Sequence, residues 1–160
     1  MNVQNNTAQA APAGFVEVRF DSVENFITHT GALYGKRDGD KLVLGFRVAR
    51  HHCNIGGVCH GGMLMTFADM LLSLGARFES ESEFGFMPTV SMTADFLAPA
   101  PLGAWVEGRT DLLRATRNFL FVQCLITSNG APALRASGIM KSAGAPAEVK
   151  GLPNLRALLK

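Results

Sequence analysis

Cys53-Asn-Ile-Gly-Gly-Val-Cys-His-Gly-Gly-Met-Leu-Met-Thr-Phe-Ala-Asp-Met-Leu-Leu-Ser-Leu-Gly-Ala76 is a polar, glycine-rich loop that runs straight into an apolar segment of helical length. Leu, Met and Ala dominate from Met63 to Ala76, and apolar side chains fall on nearly every side of the projected helix, so the segment predicts a buried helix. The polar exceptions are Thr66, Asp69 and Ser73, spaced i, i+3 and i+7, which gathers them into one stripe. Asp69 is the only charge in the segment, and a carboxylate on such a helix must offset its desolvation.

The loop carries Gly56, Gly57, Gly61 and Gly62, which leave the backbone bare where the unpaired amides of the first helical turn point outward at the positive end of the helix dipole. Bare donors at a helix start, with an acidic group about two turns further on, suit a reaction that builds negative charge on a carbonyl oxygen while a base activates water. The spacing points to acyl chemistry.

Working outward, 160 residues with 48% hydrophobic and 18% charged content fit one compact domain with a real core. The formal charge of +2 is small, with Lys and Arg scattered, so no nucleic-acid surface is expected. Cys53, Cys59 and Cys124 are an odd number with no secretory leader before them, which predicts reduced thiols and a cytoplasmic location. The longest apolar segment is interrupted by Asp69 and falls short of the roughly 20 residues a bilayer span needs, so no membrane partner is expected.

Residues 1–14 lack charge and pattern and read as a mobile tail. Between Phe15 and Gly31 a short helix is expected, capped by Asp21 or Ser22 and carrying Val23, Phe26 and Ile27. Leu33 to Lys36 and Lys41 to Ala49 flank Arg37-Asp38-Gly39-Asp40, a hairpin signal. Glu79-Ser-Glu-Ser-Glu83 reads as a solvated acidic connection. Four further extended runs follow, Met87 to Leu97, Trp105 to Leu113, Phe119 to Thr127 and Ala133 to Ser142, separated by turn signals. Two strands, a buried helix and four more strands give an α+β chain whose sheet must wrap the helix. One domain over 15–145 is expected, with a C-terminal extension over 146–160 holding a short helix within Leu152 to Lys160.

Asn54, then His60-Gly61-Gly62, Ala68-Asp69 and later Asp95-Phe96-Leu97 with Pro99 resemble the hotdog-fold acyl-CoA thioesterases, in the branch related to phenylacetate-degradation enzymes. The resemblance runs from about Leu33 to Ser142, and the combined spacing is far more specific than His-Gly-Gly alone. It implies a six-stranded curved antiparallel sheet around one long buried helix, an acyl-CoA substrate and no cofactor. It also implies a homodimer at least, expected to be a homotetramer built as a dimer of dimers, with each site shared between chains.

By that resemblance Asp69 is the general base, or alternatively a nucleophile, and the Gly61 amide is the oxyanion donor. Asn54 would position water or hold the loop, and His60 would shape the loop or orient the carbonyl. Thr89 stands where some relatives carry a serine that helps hold the attacking water. Read as ordinary structure, Asp69 is a carboxylate hydrogen-bonded to Thr66, Ser73 or nearby backbone, Gly61 a loop-easing glycine, His60 a satisfied histidine, Asn54 a turn residue and Thr89 a strand former.

Gly62, Met63 and Met65 are candidates for the substrate wall together with Phe86 and Met87, since methionine adapts to varied acyl shapes. Arg114 and Arg117, with Lys141 and Lys150, are candidates for coenzyme A phosphates, against plain surface charge. His51, His52, Cys53, Cys59 and His60 lack any recognised metal-ligand spacing, so no metal is expected. A serine triad lacks its Gly-x-Ser-x-Gly elbow. Two rivals are an acyl-thioester hydratase or dehydratase, whose histidine and carboxylate pattern is missing, and a non-catalytic acyl-CoA sensor, whose DNA-binding region the first 30 residues cannot supply.

Overall fold

The computed structural model describes residues 10–20, 24–80, 86–142 and 151–160. Among these residues seven strands, β1 (Val16–Val18), β2 (Leu33–Asp38), β3 (Lys41–Arg47), β4 (Thr89–Phe96), β5 (Trp105–Ala115), β6 (Phe119–Ser128) and β7 (Ala131–Lys141), form one sheet. Its order is β1-β2-β3-β5-β6-β7-β4, antiparallel at every pairing. Among the described residues three α-helices accompany it: α1 (Phe26–His29), α2 (Gly61–Glu79) and α3 (Leu155–Leu158). The expected sheet of six strands is therefore one short, because the three residues of β1 alternate too briefly to register as a pattern.

The hairpin of β2 and β3 pairs Asp38 with Lys41 around Gly39-Asp40, and Gly39 adopts φ +61°, which only glycine takes without strain. In the N-terminal region α1 is capped by Asn25, whose side chain accepts from the Thr28 amide while Thr28 Oγ1 accepts from the Asn25 amide. Asp21, Ser22 and Val23, the expected cap and its neighbour, lie outside the described residues. Residues 1–9 of the expected tail and 81–83 of the acidic connection do so too.

Helix α2 is 19 residues long and lies in the hollow of the sheet, burying Leu64, Phe67, Leu71, Leu72 and Leu74. Its approach to β5 depends on Gly75, where an added Cβ would collide with Thr110. One turn later Glu79 closes the contact. Its carboxylate accepts from Thr110 Oγ1 at 2.5 Å, from the Leu112 amide at 3.0 Å and from Lys41 Nζ at 2.6 Å, and Lys41 also reaches Asp111 at 3.2 Å. The Glu79 side chain is 8% exposed, so it is a buried ion-pair anchor between helix and sheet, not the solvated acid expected from its neighbours. Burial is tolerated because each carboxylate oxygen has a partner.

The 3-10 turn Arg50–His52 leads into the glycine-rich loop. His52 is buried, its Nε2 donates to Thr30 O at 2.6 Å, and its Nδ1 accepts from the Ala49 amide at 2.9 Å. Both ring nitrogens are used by one neutral tautomer, and burial lowers its pKa below the ordinary 6.5. The unfolded chain therefore binds a proton that the fold resists, so His52 leaves stability untouched above about pH 6.5 and erodes it as pH falls below that value. Between about pH 8 and pH 5 the melting temperature of the native chain should drop more than that of His52→Gln, whose side chain does not titrate. Parallel curves for the two proteins would contradict this assignment.

Candidate active site

The loop before α2 is held by three sets of hydrogen bonds. Asn54 Oδ1 accepts from the Gly56 amide at 2.9 Å and the Val58 amide at 3.4 Å, so its carbonyl shapes the loop. Cys53 and Cys59, both free thiols, face each other across the neck of this loop, closed by Asn54 N to Val58 O and His60 N to His52 O. The Cys59 amide is tied to Ala100 O at 2.8 Å. The loop therefore delivers the chain to α2 in a fixed pose.

At the helix start His60 is the N-cap, and its Nδ1 accepts from the Gly62 amide at 2.8 Å. The accepting Nδ1 puts the proton of a neutral ring on Nε2. Met63 and Leu64 amides turn back to His60 O at 2.9 and 3.2 Å. Among the described residues the Gly61 amide has no protein acceptor, which leaves one donor at the positive end of α2 open to a ligand. The Phe96 ring lies over Gly61, 3.2 Å from where a Cβ would stand.

Asp69 sits on the same helix, half-buried, about 12 Å beyond Gly61 at 1.5 Å per residue. Its Oδ1 accepts from Thr89 Oγ1 at 2.5 Å, so the helix carboxylate and the first residue of β4 form one polar pair. Ser73, the next member of the polar stripe, donates to Met87 O at 3.2 Å instead. Beside Asp69 opens a cavity of about 450 Å³ with largely apolar walls that include Phe20, Ile27, Leu74, Phe86, Met87 and Leu152.

The predicted residues thus fall into two groups within one chain. Asp69 and Thr89 both line the cavity and are hydrogen-bonded to each other. Asn54, His60, Gly61 and Gly62 share the loop end, together with Phe96. Thr89 and Phe96 are the two ends of β4, about 23 Å apart at strand spacing.

Phe86 and Met87 line the cavity, whereas Met63 and Met65 are half-buried on the first turns of α2 and do not. Arg114 and Arg117 are exposed at the β5–β6 turn, and neither lines the cavity. Ala115, Leu120, Met140 and Thr89 form one row across the sheet, which puts that turn at the Asp69 end of the sheet, three strands away. Lys150 lies outside the described residues.

No three His, Cys, Asp or Glu side chains converge as a metal would require among the described residues. Phe96, the cover on Gly61, stands in the Asp95-Phe96-Leu97 motif, where nothing local marks it as a neighbour of the loop. Nor does any local pattern mark the Phe20, Ile27 and Leu152 walls.

The thioesterase superfamily pattern matches residues 56–132, from inside the loop to the start of β7. A Pseudomonas aeruginosa protein, PA0474, provisionally named an esterase, is 32% identical over 110 residues, covering 68% of this chain and 81% of its own length. The chain belongs to the thioesterase superfamily.

Among solved structures, the phenylacetic acid degradation protein PaaI of Thermus thermophilus, in a mutant form, is similar with TM-score 0.64 and 23% identity, over 74% of this chain and 98% of that one. A hypothetical thioesterase of Streptococcus pneumoniae with coenzyme A is similar with TM-score 0.62 and 19% identity, over 72% of this chain and 88% of that one. The protein smu.793 of Streptococcus mutans, bound to acetyl CoA, gives TM-score 0.64 and 16% identity over 79% and 98% of the two chains. At these identities the likeness establishes the hotdog fold. As a member of the thioesterase superfamily the protein is a thioester hydrolase, and the Gly61 amide and the Asp69 carboxylate both lie on its long central helix. No helix among its described residues is long and apolar enough to cross a membrane.

Proposed function

We propose that this thioesterase hydrolyses aryl- or medium-chain acyl-CoA, with Asp69 as general base and the Gly61 amide as oxyanion donor. The observation that carries the reading is the Asp69–Thr89 pair lining a largely apolar cavity of about 450 Å³. That volume lies within the ordinary range of small-molecule sites. At about 30 Å³ per water-sized unit it holds on the order of ten to fifteen non-hydrogen atoms, enough for an aryl or medium-chain acyl group and far more than acetyl fills. The coenzyme A in the pneumococcal relative, the acetyl CoA on the S. mutans protein and the phenylacetate role in the name of PaaI all support a thioester of this kind.

In this reading the Thr89 hydroxyl fixes the Asp69 carboxylate, which takes a proton as water adds to the thioester carbonyl. The developing oxyanion is held by the Gly61 amide. Collapse expels coenzyme A thiolate, which leaves readily, so no cofactor or metal is needed. Asn54 and His60 set the loop and the cap that hold the Gly61 amide free. Arg114 and Arg117 are the cations proposed to meet coenzyme A phosphates.

The reading requires a second chain, because Gly61 and Asp69 stand apart on one helix. Edge strand β4 supplies the route: all its residues are exposed or half-buried, including Val90 at 55% and Phe96 at 54%. An unpaired edge that exposes Val90 and Phe96 calls for a partner. Antiparallel pairing of two β4 strands about a twofold axis at Met92 or Thr93 would bring the Thr89 end of one strand beside the Phe96 end of the second copy. Each Asp69 then meets the second copy's Gly61, in a homodimer that can pair again to a tetramer.

The test is thiol release from a panel of aryl and aliphatic acyl-CoAs. Turnover should be best for phenylacyl or medium straight chains and poorest for acetyl, with kcat/KM rising roughly fourfold per buried methylene. Absence of thiol release across the panel would refute the reading.

A further inference from the structure

The walls of the cavity have two origins. Asp69, Met70, Leu74, Met87 and Thr89 come from the stretch that matches the superfamily, whereas Phe20, Asn25, Ile27, Gly151 and Leu152 lie outside it. The outer wall has to be held in place by something other than the shared fold, and the C-terminal segment shows how. Arg156 Nη2 donates to Phe78 O at 2.6 Å and to Ser80 O at 3.0 Å, and its Nε donates to Phe78 O at 3.2 Å. Both carbonyls sit at the C-terminal end of α2, where helical carbonyls lack helical partners and the dipole is negative, so a planar guanidinium suits them in geometry and in charge.

Leu155 and Leu159 on either side of Arg156 are 6% and 5% exposed within the core. Asn154 starts α3 by accepting from the Ala157 amide at 3.1 Å. Leu152 is only four residues before Arg156, and it packs against the core as well as facing the cavity. Its position is therefore set by a latch that is itself outside the cavity.

We infer that segment 151–160 is a latched wall of the acyl site, in which Leu152 sets the longest acyl group accepted and Arg156 positions Leu152. The inference rests on the acyl-CoA reading above. For the native chain, preference should climb roughly fourfold per methylene until the acyl end meets Leu152, then stop rising. Leu152→Ala opens the wall and moves that limit outward, raising the dodecanoyl to octanoyl ratio of kcat/KM at least tenfold. Leu152→Trp moves it inward and lowers the octanoyl to butanoyl ratio by a similar factor, the scale of a misfit in an apolar pocket.

Arg156→Ala should shift the ratio in the same direction as Leu152→Ala although Arg156 does not line the cavity. Arg156→Lys, which keeps a cation and donors for the two carbonyls, should restore most of the native profile. A purely structural role for Arg156 would scale all chain lengths alike and leave the ratio fixed. Should Arg156→Ala fail to fold, the two Leu152 variants carry the test.

The ratios are read twice, as thiol release from butanoyl-, octanoyl- and dodecanoyl-CoA and as binding of the corresponding thioether analogues, which cannot be hydrolysed. Shifted ratios in both readouts are the expected result. Thiol release with native ratios in every variant would overturn the latched wall and leave the catalytic reading standing. Shifted binding without thiol release would keep the wall and refute the catalysis. Neither release nor binding in the native chain would refute both.

Discussion

Asp69→Asn should hydrolyse its best acyl-CoA at least about a hundredfold more slowly than the native chain while remaining folded, the scale expected when a general base is removed. The substitution preserves shape and keeps an oxygen that can accept from Thr89 Oγ1, the one hydrogen bond the carboxylate makes among the described residues. It removes only the ability to take a proton from water. Because Asp69 is half-buried, with no ion pair to break among the described residues, the melting temperature should move by a few degrees at most. Thioether analogues should bind as before, since Asn keeps the shape of Asp and the apolar lining residues are unchanged. Near-native turnover would show that Asp69 is a structural carboxylate, and unfolding would show that its pairing with Thr89 serves stability alone.

Gly61→Pro should lower kcat by about a hundredfold to a thousandfold, the range for losing one oxyanion donor. Proline deletes the amide proton, and the backbone at this position accepts proline. Gly61 is the first residue of α2, where proline is well tolerated, and His60 before it already has φ −62° and ψ 137°, the extended region that a following proline demands. The new ring must displace Phe96, whose edge is 3.2 Å from the Cβ position, so Gly61→Ala is the control. It makes the same contact while keeping the N–H, and should retain most of the activity. Equal losses in the two variants would assign the effect to Phe96 and remove the amide from the mechanism.

The parts of the fold that local chemistry dictates were legible in the chain. The buried helix, its polar stripe and the Gly39 hairpin each follow from periodicity or from a backbone conformation only glycine supplies. Glu79 was misread because its neighbours in sequence are acidic and solvent-like, whereas its partners Thr110 and Lys41 are 31 and 38 positions away. The cap of α1 was placed too early because Asn25, the residue that closes the capping box, followed two equally suitable polar residues. Met63 and Met65 have the composition of an acyl wall but lie off the cavity beside Asp69, because a cavity is lined by whichever elements converge on it. The cavity is completed by Phe20 and Leu152 from opposite ends of the chain. The division of the site into two groups follows from geometry alone: two turns of α2 carry Gly61 out of reach of Asp69.

That division is most directly tested by mixing the two inactive variants. Asp69→Asn and Gly61→Pro subunits, unfolded together in equal amounts and refolded, should form about half mixed dimers if association is random, each with one intact site and one doubly disabled site. About a quarter of the native activity should return, although each parent alone is nearly inactive. Mixed, folded dimers that stay at the level of the parents would contradict a site shared between Asp69 of one chain and Gly61 of the other.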